Sequence, residues 1–129
     1  MTFLIADNNP ALRDIIKNVL VSPDNTFIEC SNGKEAIECY SEYKPDWVII
    51  DSELDKIDGI AVSQKITNKF PQANILILTQ YDDIHLKKAA FKAGVKEYFL
   101  KDNIIQLKSF FKETRIKNQI KYKTEAKHK

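Results

Sequence analysis

Five polar residues stand at or just beyond the ends of short apolar runs. Asp7 and Asn8 follow Phe3–Ala6, Asp51 follows Trp47–Ile50, Thr79 follows Ile75–Leu78, and Lys101 follows Glu97–Leu100. Singly, each has an ordinary explanation. An Asp at a strand end caps the next loop, a Thr is a common β-branched strand residue, and a Lys after a strand is solvated. Together they offer two carboxylates, an amide, a hydroxyl and an ammonium, a set able to form a charged functional site. Whether they meet depends on the elements that carry them.

Those elements alternate. The apolar runs Phe3–Ala6, Thr26–Cys30, Trp47–Ile50, Ile75–Leu78 and Glu97–Leu100 read as strands. The first, third and fourth are continuously apolar, as in parallel strands buried on both faces. Glu29 and Glu97 place the other two at sheet edges. Helices are expected over Pro10–Val21, Lys34–Tyr43, Ile60–Phe70 and Asp82–Ala93, and from near Asn103 to at least Phe111. Asn9 as N-cap, Pro10 at the first helical position and Gly94 as a stop support these limits. Five strand–helix repeats with short connections make an α/β fold, a doubly wound five-stranded parallel sheet with five helices. In such sheets function sits beyond the carboxyl ends of the strands. All five polar residues fall there, so the fold brings them to one edge.

This pattern resembles the response-regulator receiver family. Its pieces are Leu4-Ile5-Ala6-Asp7-Asn8-Asn9-Pro10, Val48-Ile49-Ile50-Asp51 with Asp58-Gly59 beyond it, Ile77-Leu78-Thr79, Ala93-Gly94-Val95 and Tyr98-Phe99-Leu100-Lys101-Asp102. The resemblance covers about residues 3–112. It is nearest to receivers usually fused to helix-turn-helix outputs, and it implies a flavodoxin-like sheet in the order 2-1-3-4-5. Asp51 would then be the phosphoacceptor, its carboxylate forming an acyl phosphate. Mg²⁺ would be held by Asp7, Asp51, the Glu53 backbone carbonyl and Asn8. Lys101 would pair with the acidic pocket and the phosphoryl group, Thr79 would hydrogen-bond a phosphoryl oxygen, and Tyr98 would switch its packing in response. The chain would be a phosphoacceptor signalling domain rather than an enzyme, loaded by a histidine kinase or phosphotransfer protein in a two-component or phosphorelay pathway.

Two positions depart from the family pattern. Asn8 stands where a second acid is usual, so Mg²⁺ is expected to bind weakly. Leu54-Asp55 replaces the usual Met-Pro, which is expected to make that loop more acidic and less rigid. Asn8 also favours an alternative, a degenerate receiver acting as a phosphorylation-independent interaction module. A flavodoxin-like cofactor binder is disfavoured because no Gly-rich or Ser/Thr-rich phosphate loop follows the first strand.

Leu86, Ala89, Ala90 and Ala93 share a face expected to pack on the sheet, while Ile84 and Phe91 fall opposite. In the last helix Ile104, Leu107 and Phe111 form the core stripe. Ile105 lies on another face, joined by Ile116 and Ile120 if the helix continues. The expected contact surface for a downstream protein or a self-dimer is therefore the Asp82–Ala93 helix, strand 97–100 and the last helix, through Ile84, Phe91 and Ile105.

Composition limits the remaining classes. With 129 residues, 43% hydrophobic and 29% charged, the chain suits one domain, and no apolar run is long enough for a membrane span. The N-terminal apolar run has no basic leader, so a signal peptide is not expected and the setting is cytoplasmic. Cys30 and Cys39 lack metal spacing and read as reduced thiols, and His85 and His128 are too scattered for a metal site. Net charge is +2, but residues 115–129 carry six Lys/Arg against one Glu. The expected division is a receiver at 1–114 and a basic extension at 115–129, either a helical continuation or a disordered tail. The extension is too short for a helix-turn-helix module, so a stand-alone receiver working by protein contact is expected, without direct nucleic-acid binding.

Overall fold

Residues 1–55 and 57–127 are described in the computed structural model, with side chains through 121. Strands β1 (Thr2–Ala6), β2 (Thr26–Cys30), β3 (Trp47–Asp51), β6 (Ile75–Thr79) and β7 (Glu97–Leu100) form one parallel sheet in the order β2-β1-β3-β6-β7. A two-stranded antiparallel hairpin, β4 (Glu53–Leu54) with β5 (Ile57–Asp58), lies outside it. Without the hairpin, the order is the expected 2-1-3-4-5. β3 and β6 are buried at every residue, whereas the edge strands β2 and β7 are largely half-exposed. Burial on both faces explains why the central strands read as unbroken apolar runs.

Side chains alternate between the two faces of the sheet. Leu4, Val48, Ile50, Ile75 and Ile77 pack beneath helices α2 (Gly33–Tyr43), α3 (Gly59–Lys69) and α4 (Ile84–Lys92), meeting Ala36, Tyr40, Val62, Ile66 and Ala90. Phe3, Ile5, Trp47, Ile49, Leu76 and Leu78 pack on the other side beneath α1 (Pro10–Val19) and α5 (Gln106–Lys127). This second layer is aromatic: Phe3, Trp47, Phe99, Phe110 and Phe111 meet at ring-centroid distances of 4.8–5.5 Å, mostly edge to face.

Local signals set the helix starts. Asn9 Oδ1 accepts from the Ala11 and Leu12 N–H groups, Asn32 Oδ1 from Glu35, Asp58 Oδ1 from Ile60, and Asp83 Oδ1 from His85 and Leu86. The α4 cap is thus Asp83, one residue after the expected start. A 3₁₀ turn at Lys101–Asn103 delays α5 to Gln106. Gly94 ends α4 at φ 96°, where a Cβ would also strike the Thr67 side chain.

Two expectations need correction or refinement. Ala89 is exposed: Ala90 and Ala93 are buried, Leu86 is half-buried at helical spacing from them, and Ala89 sits on the flank of this stripe. The stretch 115–127 belongs to α5, on which Ile116 and Ile120 are exposed. Leu54 is buried in the core and paired with Ile57 in the hairpin. Cys30 is buried and free, Cys39 is half-buried and free, His85 is exposed, and His128 lies outside the described residues. No described helix is long and apolar enough to cross a membrane.

Candidate functional site

A polar cleft of about 680 Å³ opens at the carboxyl edge of the sheet. Asp7, Asn8, Asp51, Glu53 and Lys101 line it together, so residues from three strand ends converge as expected. Asp7 and Asp51 sit at its base, only 2% and 8% exposed.

Each carboxylate is aimed by its own backbone turn. Asp7 Oδ1 accepts the Asn9 N–H at 2.8 Å, and Asp51 Oδ1 accepts the Glu53 N–H at 3.1 Å. That leaves the Oδ2 atoms for Lys101, whose Nζ lies 2.8 Å from Asp51 and 3.5 Å from Asp7. Burial raises the Asp7 pKa, and the Asp51 charge adds to this, while the Asn9 N–H and Lys101 pull the other way. Burial would lower the Lys101 pKa, but Asp51 and Asp7 outweigh it and leave it raised. The site therefore concentrates more negative charge than its lysine balances.

Neighbouring backbone holds the loops in place. Gly59 presses on β3: a Cβ there would lie 1.8 Å from the Asp51 carbonyl oxygen, and its N–H donates to the Ser52 carbonyl at 2.9 Å. This explains the glycine of the Asp58-Gly59 pair by close approach. Arg13 donates from Nη1 to the Asp7 carbonyl, and its Nε donates to Glu29 at 3.1 Å, tying the β1–α1 loop to β2.

Thr79 and Tyr98 sit apart from the cleft. Thr79 is fully buried and does not line it. Its Oγ1 lies 2.7 Å from Ser52 Oγ and accepts the Tyr81 N–H at 3.2 Å. The Tyr98 hydroxyl donates to the Tyr81 carbonyl at 2.6 Å, and burial raises its pKa despite a contact with Thr79. The Tyr81 hydroxyl crosses the cleft mouth to Glu53 Oε1 at 2.6 Å. Sequence reasoning passed over Ser52 and Arg13. The register of β3 on β6 pairs Asp51 with Leu78, which brings Ser52 to Thr79 one residue on, but nothing local in the sequence sets that register.

Residues with oxygen donors dominate the cleft: the buried carboxylates of Asp7 and Asp51, with Asn8 and Glu53 beside them. This set fits a hard divalent cation that keeps several waters, since it would relieve the Asp7–Asp51 repulsion. Among the described residues there is no cluster of three or more His, Cys, Asp or Glu side chains placed to hold a metal. Such an ion would thus depend on two carboxylates, neutral oxygens and water.

Comparison with known proteins bears on the family and the fold. The family model for the response regulator receiver domain matches residues 3–111. The uncharacterized transcriptional regulatory protein YhcZ of Bacillus subtilis is 35% identical over 104 residues, which are 79% of this chain and 49% of that protein. The chain thus spans about half of that relative's length. The chemotaxis protein CheY of Listeria monocytogenes is 30% identical over 78% of this chain and 86% of its own length. Among solved structures, a LuxR-family two-component response regulator from Aurantimonas superposes with a TM-score of 0.81 at 25% identity, covering 88% of this chain and 83% of its own. A CheY-like response regulator receiver domain protein from Methanospirillum hungatei reaches 0.82 at 19% identity, covering 93% and 97%, and so speaks for the fold alone.

Proposed function

The chain belongs to the response regulator receiver family, and on that premise we propose that Asp51 accepts a phosphoryl group and that the resulting state is passed to a protein partner. One observation carries this reading: a buried carboxylate at the end of a central strand, beside a second carboxylate, with its Oδ2 2.8 Å from a lysine. An Asp51 oxygen attacks phosphorus while the bond from phosphorus to the donor's leaving atom breaks, and the leaving group departs with that electron pair. A phosphohistidine of a histidine kinase or phosphotransfer protein is the donor this reading requires. Lys101 stays protonated and offsets charge on the phosphoryl oxygens. Asp7, Asp51, the Glu53 carbonyl and the Asn8 amide are the groups that would hold Mg²⁺, which when bound neutralises phosphoryl charge. Receiving a group on its own side chain makes the chain a signalling acceptor rather than a turnover enzyme.

Output runs through the α4–β7–α5 face in this proposal. Ile84, Phe91 and Ile105 are exposed there, at 59%, 43% and 62%, and Tyr98 lies within the same face. Intact-mass measurement after incubation with an acyl phosphate and Mg²⁺ tests the acceptor role. The expected result is one phosphoryl adduct on the wild type and none on Asp51→Asn. An adduct that persists in the variant would refute the assignment.

The neutral, exposed Asn8 favours a second reading, an interaction module that works without phosphorylation. No adduct on the wild type at any Mg²⁺ concentration, with partner binding through α4 retained, would select it.

A further inference from the structure

We propose that Ser52 is a positioning residue that keeps the Thr79 hydroxyl out of the cleft, so that a phosphoryl group on Asp51 engages Thr79 only by breaking the Ser52 bond. This rests on the phosphoacceptor reading of Asp51 and adds a restraint to it. Ser52 is 7% exposed and lines the cleft, whereas Thr79 is fully buried behind it. Their hydroxyl oxygens lie 2.7 Å apart. Thr79 Oγ1 also accepts the Tyr81 N–H.

A hydroxyl has one proton and two lone pairs. With the Tyr81 N–H on one lone pair, contact with Ser52 takes either the proton or the second lone pair of Thr79. In both cases the side chain is held between Ser52 and Tyr81, with the Tyr98 hydroxyl also in contact, and it does not line the cleft. An oxygen on phosphorus at Asp51 gains the Thr79 proton only if Oγ1 leaves this position. The Ser52 hydroxyl, at the cleft wall, can then turn to water. The same move releases the Tyr81 N–H. Tyr81 holds Glu53 through its hydroxyl and Tyr98 through its carbonyl, so the Ser52 bond sets the threshold for the whole chain of contacts.

The test is calorimetric binding of beryllium fluoride, a phosphoryl mimic, in the presence of Mg²⁺. It uses the full chain as wild type, Ser52→Ala, Ser52→Thr, Thr79→Ala and the Ser52→Ala/Thr79→Ala double variant. Each affinity is normalised to that protein's affinity for Mg²⁺ alone. Loss of one neutral hydrogen bond predicts that Ser52→Ala binds the mimic about tenfold more tightly. Ser52→Thr, which keeps the hydroxyl, matches the wild type, and the gain disappears in the Thr79→Ala background. Equal or weaker binding by Ser52→Ala, or a gain that survives without the Thr79 hydroxyl, overturns the assignment. A wild type that takes up neither the mimic nor an acyl phosphate overturns the phosphoacceptor reading, and the restraint falls with it.

Discussion

β3 ends in two different environments. At its start, Trp47 meets Phe110 and Phe111 edge to face in the aromatic layer under α5. At its finish, four residues on, Asp51 shares a cleft with Asp7 and one lysine. The first end is apolar and packed, with nothing left to react. Charge gathers at the second, and the fold only partly balances it. The contrast separates what holds the molecule together from what lets it work. Substitutions at one end should change stability and spare the chemistry, and substitutions at the other should act chiefly on the chemistry.

The sharpest break in this symmetry is Asp51→Asn. Phosphoryl uptake should vanish by intact mass, while the thermal melt stays close to wild type because no packing is lost. The opposite dissociation is expected from Phe111→Ala, which empties a buried site between Phe3 and Trp47. A loss of about 3–5 kcal/mol in urea unfolding is the expected size. At low temperature its folded fraction should still be phosphorylated at the wild-type rate. Slowed phosphorylation in that folded fraction would mean that the two ends of β3 are coupled.

Asn8→Asp should sharpen the charge imbalance at the cleft. A charged oxygen in place of an amide is expected to strengthen Mg²⁺ binding by about 10–100-fold, read by titration. Equal affinity would place position 8 away from the metal. A smaller effect concerns Asp7, whose pKa is raised mainly by burial. The folded protein then holds this proton more tightly than the unfolded chain. Stability from this group falls as pH rises from the ordinary carboxylate value through the raised one, so ionised Asp7 carries a penalty at neutral pH. Asp7→Asn should therefore melt higher than wild type at pH 7, with the difference shrinking on acidification. A constant difference across pH would remove Asp7 as its cause.

The smallest effect is expected from removing residues after Thr114. Arg115 donates to Asn25 at 2.7 Å and approaches exposed Asp24 at 3.9 Å, contacts together worth about 1 kcal/mol. A much larger drop in melting temperature would extend the stabilising aromatic end along α5.

The resemblance to relatives and the alternating periodicity made the sheet, its order and the set Asp7, Asn8, Asp51 and Lys101 legible in advance. Central strands buried on both faces must be apolar throughout, and polar residues are then admitted only at their ends. Helix starts were nearly as readable, because a cap acts on its own first turn. Ala89 was misplaced because helical spacing locates a face to within a side chain, whereas contact with the sheet decides its edge. The burial of Leu54 is not legible locally, because it is anchored by a core built from distant segments.

The sequence alone determined which residue types reach the carboxyl edge, since burial dictates where polar side chains are tolerated. Only the tertiary structure decided how they bond there. Ser52 meets Thr79, and Tyr81 meets Glu53, across 27 and 28 residues of chain. Those pairs follow from the register between β3 and β6 and the path of two loops, which are set by packing across the whole sheet rather than by any local pattern.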